Sequence, residues 1–87
     1  MYFAVQHDIT NTEGFWEAAQ RNLPRLPEAG VKRVVSVFPN KEMDKCICVW
    51  EADSMETLEN YFREKMGNAS RNAAYEINEA AAFGPGL

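Results

Sequence analysis

The sequence predicts a single α+β domain with the element order β-α-β-β-α-β. Three observations support this: a strictly alternating first segment, two β-branched or apolar segments joined by turn residues, and two amphipathic segments that each lie between strands. Right-handed crossovers place the four strands in one antiparallel sheet of spatial order 4-1-3-2, with both helices on one face. The chain length of 87 residues fits one domain.

The first half of the chain supplies one strand and one helix. Residues 2–9 alternate between apolar and polar positions, and one face of this strand carries Phe3, Val5, His7 and Ile9. Asn11 or Thr12 caps a helix that ends near Asn22. Two prolines and a glycine within residues 23–30 then predict an irregular connection.

The second half begins with a hairpin formed by residues 31–38 and 45–52. Pairing Arg33 with Glu51 sets its register by charge, and both faces of the hairpin are then largely apolar. The two helices cover one face, so the other needs a second layer from outside the chain. We therefore predict a homodimer through the face that carries Val34, Phe38, Cys46, Cys48 and Trp50.

A second helix and a last strand complete the pattern. Asp53-Ser54 caps the helix, and Gly67-Asn68 ends it. Residues 70–74 are predicted as a helical turn, residues 75–79 as a short last strand, and residues 83–87 as a flexible tail. The complete order is that of a ferredoxin-like α+β fold, in one domain that spans residues 1–87.

The charge distribution and the apolar segments exclude some classes of partner. Thirteen acidic residues outnumber nine basic ones, and the basic residues are scattered, so no basic stripe suits a nucleic acid. No apolar run reaches bilayer length, and the first residues lack a basic segment before a long apolar core. We predict a cytoplasmic protein that is neither exported nor membrane-spanning, with its only cysteines reduced.

Few residues have side chains suited to catalysis, metal binding or ligand binding. His7 is the best candidate for a general base, because it alone titrates near neutrality without help. Cys46 and Cys48 share one strand face, and together with His7 from two subunits they form an alternative metal site. Trp16, Trp50, Tyr61 and Tyr75 either line an apolar pocket or only pack in the core. No motif for a cofactor or a phosphate is present, so no cofactor is expected.

The segment from Cys46 to Ser54, with Leu58 and the later Tyr75-Glu76-Ile77, resembles a family of small uncharacterised proteins in the dimeric α+β-barrel superfamily. Some of them are described as nickel-binding. Members associated with metal binding carry a histidine on or after the second helix, and this sequence has none between Ser54 and Leu87. The resemblance implies two ferredoxin-like units that pack sheet against sheet.

The same superfamily is similar to cofactor-independent monooxygenases and isomerases, which use a pocket between helices and sheet. By location, the resemblance implies His7 as the catalytic residue and a ligand site made of Trp16, Tyr61, Asn72 and Tyr75. The leading hypothesis is a dimer that binds a small aromatic or enolisable molecule, with or without catalysis. A metal-binding protein and a purely structural dimer are the alternatives.

Overall fold

The computed structural model describes residues 1–84. The elements are β1 (Tyr2–Ile9), α1 (Thr12–Asn22), a 3₁₀ segment (Leu23–Ala29), β2 (Val31–Pro39), β3 (Lys45–Ala52), α2 (Met55–Tyr61), a π-helical turn (Phe62–Met66), a short 3₁₀ turn (Gly67–Ala69) and β4 (Ser70–Glu76). The strands form one antiparallel sheet in the order β2-β3-β1-β4. This confirms the predicted ferredoxin-like topology. Within residues 1–84, no helix has both the length and the apolar character needed to cross a membrane.

Local capping fixes where the first helix starts and how its connection ends. The Asn11 side chain accepts a hydrogen bond from the backbone N–H of Gly14 at 3.0 Å, so Asn11 is the N-cap of α1. Helix α1 buries Phe15 and Ala18 against the sheet. The 3₁₀ segment after it buries Leu26 and ends at Gly30, whose φ of 80° is the left-handed conformation that glycine adopts without strain.

The second helix changes its geometry near its end. Ser54 caps it by accepting from the N–H of Thr57 at 3.1 Å. From Phe62 the turns widen, and the N–H of Gly67 donates to the carbonyl of Phe62, five residues earlier. This π-helical turn keeps Tyr61 and Met66 on the side of the helix that faces the sheet, where both are buried.

The last strand starts earlier than predicted. Residues 70–74 are not a helical turn, since β4 runs over Ser70–Glu76 and pairs with β1 from Ile9↔Ser70 onward. The carbonyl of Ala69 accepts from the N–H groups of Thr10 and Asn11, and these bonds help fix the start of the pairing. The prediction was wrong because small and polar residues carry little β-propensity, and tertiary pairing overrides that preference.

A bulge in β2 changes the hairpin register. The predicted anchor pair Arg33↔Glu51 is confirmed, and Nε of Arg33 lies 2.9 Å from Oε1 of Glu51. Val34↔Trp50 also follows the predicted register. Beyond it the register shifts at Val35, so the next pairs are Ser36↔Val49, Val37↔Cys48 and Phe38↔Ile47, each one residue away from the predicted ones. The bulge thereby places Val37 on the helix side of the sheet and Phe38 on the opposite face.

The predicted dimer face was wrong for most of its residues. Strand β1 pairs with β3 as Phe3↔Trp50, Val5↔Cys48 and His7↔Cys46, and paired residues share a face. Cys46, Cys48 and Trp50 are therefore buried under the helices, and Val34, opposite Trp50, lies on that side too. Of the five predicted residues only Phe38 is on the uncovered face, where it is 67% exposed.

We call the side of the sheet away from the helices the open face. Part of it is bordered by the segment after β4, since Ile77, Asn78, Ala81 and Ala82 line a shallow cavity there with Phe38 and Tyr75. The central rows of the open face run across all four strands as Ser36, Val49, Ala4, Tyr75 and as Phe38, Ile47, Gln6, Ala73. Charged pairs flank these rows: Arg33 with Glu51 at one end, and Asp8 between Lys45 and Arg71 at the other. The open face thus has an apolar centre between two charged ends.

The end of the chain was predicted as a flexible tail over residues 83–87. Phe83 and Gly84 lie outside any helix or strand, and Phe83 is 99% exposed. Residues 85–87 lie outside the described residues. The flexibility of this segment stays a prediction.

Candidate functional site

A cavity of about 360 Å³ lies between the helices and the sheet. Its walls come from β1, α1, the 3₁₀ segment, β2, the β2–β3 turn, β3, α2 and the π-helical turn, whereas β4 and the short 3₁₀ turn before it contribute no lining residue. The lining residues are His7, Phe15, Trp16, Ala19, Gln20, Leu23, Val34, Val37, Met43, Cys46, Cys48, Trp50, Tyr61 and Met66. None of them is Asp, Glu, Lys or Arg, and the volume is within the range of small-molecule pockets.

His7 is the most buried polar side chain of the site, with no exposed surface. Its Nδ1 lies 2.5 Å from Oδ1 of Asn72, the residue directly opposite on β4, and the Ser70 hydroxyl donates to the same oxygen at 2.8 Å. An amide oxygen only accepts, so the hydrogen of the neutral imidazole is on Nδ1. The lone pair of Nε2 is then free to accept a proton.

Burial sets the protonation state of His7. Desolvation lowers the pKa of the imidazole below its usual 6.5, and the hydrogen bond to Asn72 opposes this effect only in part. Phe15 and Phe62 pack on the ring at centroid distances of 5.3 and 5.1 Å, which keeps water away from it. His7 is therefore neutral at neutral pH, as a proton acceptor must be.

This lowered pKa predicts acid sensitivity. Below pH 6.5 the unfolded chain takes up a proton on His7 that the folded chain does not bind, so stability is complete above 6.5 and falls as pH drops below it. The free energy of unfolding should fall by up to about 1.4 kcal/mol per pH unit between pH 6.5 and the folded-state pKa. Urea unfolding at pH 7.0 and 5.5 measures this fall, and His7→Phe should reduce it. An equal fall in both proteins would contradict the prediction.

Three polar atoms on cavity-lining residues are buried without a hydrogen-bond partner among residues 1–84: Nε2 of His7, Nε1 of Trp50 and the hydroxyl of Tyr61. Their rings form one cluster, with centroids 6.4 Å apart for His7 and Trp50 and 5.7 Å apart for Trp50 and Tyr61. Buried polar groups are nearly always paired, and leaving one unpaired costs about 1–3 kcal/mol. One acceptor and two donors in one apolar cavity therefore indicate a binding site.

The rim of the cavity includes Trp16 and the β2–β3 turn. Nε1 of Trp16 donates to the carbonyl of Met43 at 3.0 Å. Met43 has a φ of 64°, which is uncommon for a residue other than glycine. The Asn40 side chain holds the turn by accepting from the N–H groups of Asp44 and Lys45. The indole of Trp16 is thus fixed at the cavity and has its polar atom satisfied.

Two thiols line the same cavity. The Sγ atoms of Cys46 and Cys48 are 3.1 Å apart, both residues are buried, and neither is in a disulfide. Burial raises the pKa of both thiols. They converge, as the metal hypothesis required, but on the helix side, away from the open face that two subunits would share.

The structure brings together part of the predicted ligand site. His7, Trp16 and Tyr61 line one cavity. Asn72 does not line the cavity, but its side chain hydrogen-bonds Nδ1 of His7, which does. Tyr75 was misplaced: it pairs with Ala4 on the open face and is 67% exposed. The error follows from the late start predicted for β4.

The alternative metal site of Cys46, Cys48 and His7 is not formed within one chain. Within residues 1–84, no three His, Cys, Asp or Glu side chains are grouped so that they could hold one metal ion. Two thiols alone do not complete the four-ligand set that zinc takes in structural sites.

Sequence reasoning missed several members of the site. Trp50 was named both as a pocket aromatic and as part of the dimer face, and only the pocket assignment agrees with the structure. Met43 was read only as part of a turn. Ser70, which bonds Asn72, was placed in a helical turn. If β4 had been predicted to start at Ser70, the sequence would have placed Ser70 and Asn72 on one face of a strand next to His7. That placement would have identified both as hydrogen-bonding partners near the histidine.

The fold and the site define a ferredoxin-like α+β protein with a cavity between helices and sheet. A structure from Nitrosomonas europaea, provisionally described as an antibiotic biosynthesis monooxygenase, is similar with a TM-score of 0.54 at 14% identity over 90% of this chain and 99% of that chain. The protein Atu4242 from Agrobacterium tumefaciens is similar with a TM-score of 0.53 at 10% identity over 98% of each chain. No protein-family model and no curated protein matches the chain.

Proposed function

We propose that this protein binds a small, uncharged, ring-containing molecule in the cavity between its helices and sheet. The observation that carries the proposal is the set of three unpartnered polar atoms on the cavity lining. Nε2 of His7 accepts a hydrogen bond from a ligand hydroxyl. Nε1 of Trp50 and the hydroxyl of Tyr61 donate to ligand oxygens. The aromatic and aliphatic lining accommodates the rest of the ligand.

The electrostatics of the cavity support an uncharged ligand. No side chain with a permanent charge lines it, and burial shifts each titratable group toward its neutral form. The pKa of His7 is lowered, that of Tyr61 is raised to about 12, and those of both cysteines are raised. A charged ligand would lose its hydration without gaining a counter-ion.

His7 is the proposed base if the protein is an enzyme. Removing a proton from a phenol or enol gives an anion that can isomerise or react with oxygen, and the donors Trp50 and Tyr61 would stabilise its negative charge. The lowered pKa of His7 makes it a weak base, so the substrate must be acidic for an enol. The resemblance to cofactor-independent monooxygenases and the fold shared with the Nitrosomonas protein support this class of reaction.

Binding of matched probes tests the proposal. We expect 2-naphthol to bind and to shift the indole N–H resonance of Trp50 in a ¹⁵N-labelled sample, because Nε1 gains a partner. The anion 2-naphthoate should bind at least about tenfold more weakly, since its charge would be buried unpaired. Replacing Ala19, on the cavity lining, with Phe should weaken naphthol binding, whereas Ala80→Phe, on an exposed turn, should not.

His7→Phe separates the hydrogen bond from simple packing. It should weaken the binding of 2-naphthol roughly fivefold, because the loss of one hydrogen bond costs about 1 kcal/mol. The binding of naphthalene, which has no hydroxyl, should be nearly unchanged. Equal binding of naphthol and naphthoate, or naphthol binding insensitive to both cavity variants, would refute the proposed site.

We also propose a homodimer formed through the open face. The support is the apolar centre of that face, where Phe38, Ile47 and Tyr75 are 67%, 56% and 67% exposed. Such a patch on a domain of this size is typical of an interaction surface. The charged ends suit a second copy, because a two-fold arrangement can bring the Arg33 and Glu51 end of one chain toward the Lys45, Asp8 and Arg71 end of the other.

A cytoplasmic location is part of this proposal. Cys46 and Cys48 are free, as is usual for cysteines in a reducing compartment. We propose no metal in the site.

A further inference from the structure

We propose that Cys46 and Cys48 form a chelating pair for trivalent organoarsenicals, compounds of the type R–As(OH)₂, with the R group in the apolar cavity. Neither thiol is among the three polar atoms assigned to the proposed ligand, and the proposal does not rest on that function. Both thiols line the cavity and are 2% exposed, so a small molecule that enters the cavity contacts them.

The spacing of the two sulfur atoms selects the bound atom. Their separation is 3.1 Å. A disulfide would bring them to about 2.05 Å, and the extended strand resists that closure. A tetrahedral zinc ion with bonds of about 2.3 Å would push them apart to about 3.8 Å. Three-coordinate trivalent arsenic is pyramidal, and its narrow S–As–S angle brings two bound sulfurs closer together than a tetrahedral ion does, which is nearer the observed separation.

The charge of the site favours the same ligand. A divalent metal ion would have to leave water for a cavity without a carboxylate, whereas R–As(OH)₂ is uncharged and can enter. The raised pKa values of the thiols make them slow toward reagents that need a thiolate, such as peroxides. Neutral thiols can still exchange with arsenic hydroxyl groups, because the thiol proton leaves with the hydroxyl as water.

The chemistry is balanced without an oxidant or a reductant. Two S–H bonds and two As–OH bonds break, two As–S bonds form, and two molecules of water leave. Arsenic stays trivalent, and the oxidation state of both sulfur atoms is unchanged. The product is a ring closed through the strand segment from Cys46 to Cys48.

The test uses phenylarsine oxide, the dehydrated form of phenylarsonous acid, as the probe. After incubation of the folded protein with a large excess of glutathione present, intact mass spectrometry should show one phenylarsenic unit per chain in place of two hydrogens. Addition of 2,3-dimercaptopropanol should remove it. Cys46→Ser and Cys48→Ser should each lose the adduct, since a single As–S bond exchanges with glutathione. Val34→Trp, which narrows the cavity but keeps both thiols, should slow adduct formation at least about tenfold.

Two outcomes would overturn the proposal. One is the absence of a glutathione-resistant adduct on the folded wild-type protein when the same protein unfolded in urea forms it. The other is an adduct that persists in either single serine variant. Circular dichroism of each variant establishes that its fold is kept, and the wild-type result stands without any variant.

Discussion

Replacing Phe38 with aspartate should convert the proposed dimer into a monomer. Phe38 stands in the apolar centre of the open face, beside Ile47 and across the sheet from Ala73. A carboxylate there would be buried unpaired in both subunits of a symmetric interface. We expect a loss of at least about 3 kcal/mol of association free energy, or roughly a hundredfold in the dimer Kd. Sedimentation equilibrium over a range of concentrations measures it.

Asn60→Asp is the matched control for this change. Asn60 is exposed on α2, on the helix side of the sheet, so a new carboxylate there should leave the dimer intact. A wild-type protein that stays monomeric at high micromolar concentration would contradict the proposed dimer. Equal dimer strength in wild type and Phe38→Asp would show that subunits associate through another surface.

Replacing Phe62 with alanine should cost about 3–5 kcal/mol of unfolding free energy. Phe62 is 4% exposed, and its ring lies 5.1 Å from that of His7, 5.4 Å from Trp50 and 5.8 Å from Tyr61. It is the centre of the aromatic cluster that supports the cavity. Removing its ring leaves a void that the β-sheet on one side and the π-helical turn on the other cannot fill.

Urea unfolding at pH 7.5 measures the loss, and Phe83→Ala is the control for an exposed phenylalanine. The control should change stability by less than about 0.5 kcal/mol. Phe62→Leu should lose clearly less than Phe62→Ala, because it keeps most of the buried volume. A loss below about 1 kcal/mol for Phe62→Ala would mean that the cluster does not support the fold as described.

The sheet order, both helices and the first three strands could be predicted from the sequence because each rests on a strong local signal. Alternation defines β1, Asn11 and Ser54 cap the helices, and the turn chemistry near Asn40 closes the hairpin. The pair Arg33 and Glu51 gave the correct start of the β2–β3 register. Local propensity and global fold agree in these segments.

The faces of the hairpin could not be predicted in the same way. Val35 belongs to a run of β-branched residues that reads identically with or without a bulge, yet the bulge moves each later residue of β2 to the other side. The side that Cys46, Cys48 and Trp50 face is set by their pairing with β1, whose residues are distant from them in sequence. Charge matching within one hairpin does not contain that information.

The candidate site could be predicted only in part, because it too depends on contacts between residues distant in sequence. His7 stood out by its chemistry, but its partner Asn72 was chosen by location alone, and Tyr75 was placed on the wrong face. The unsatisfied atoms of Trp50 and Tyr61 become visible only when packing shows that nothing bonds them. Unpaired polar groups are a property of three-dimensional contacts, which a sequence pattern does not report.

The cavity and the open face lie on opposite sides of the sheet. The dimer proposal and the ligand proposal can therefore fail separately. Phe38→Asp should leave the binding of 2-naphthol nearly unchanged if the monomer keeps its fold. Ala19→Phe should leave the dimer unchanged, since Ala19 lies on α1 at the cavity.

A crystal structure of the protein soaked with 2-naphthol tests the central claim most directly. The account predicts the naphthol ring in the cavity between helices and sheet, with its oxygen about 2.6–3.2 Å from Nε2 of His7 and within reach of Nε1 of Trp50 or the hydroxyl of Tyr61. His7 should keep its bond to Asn72. A cavity filled by the protein's own side chains, with Nε2 of His7 bonded to one of them and no naphthol bound, would contradict it.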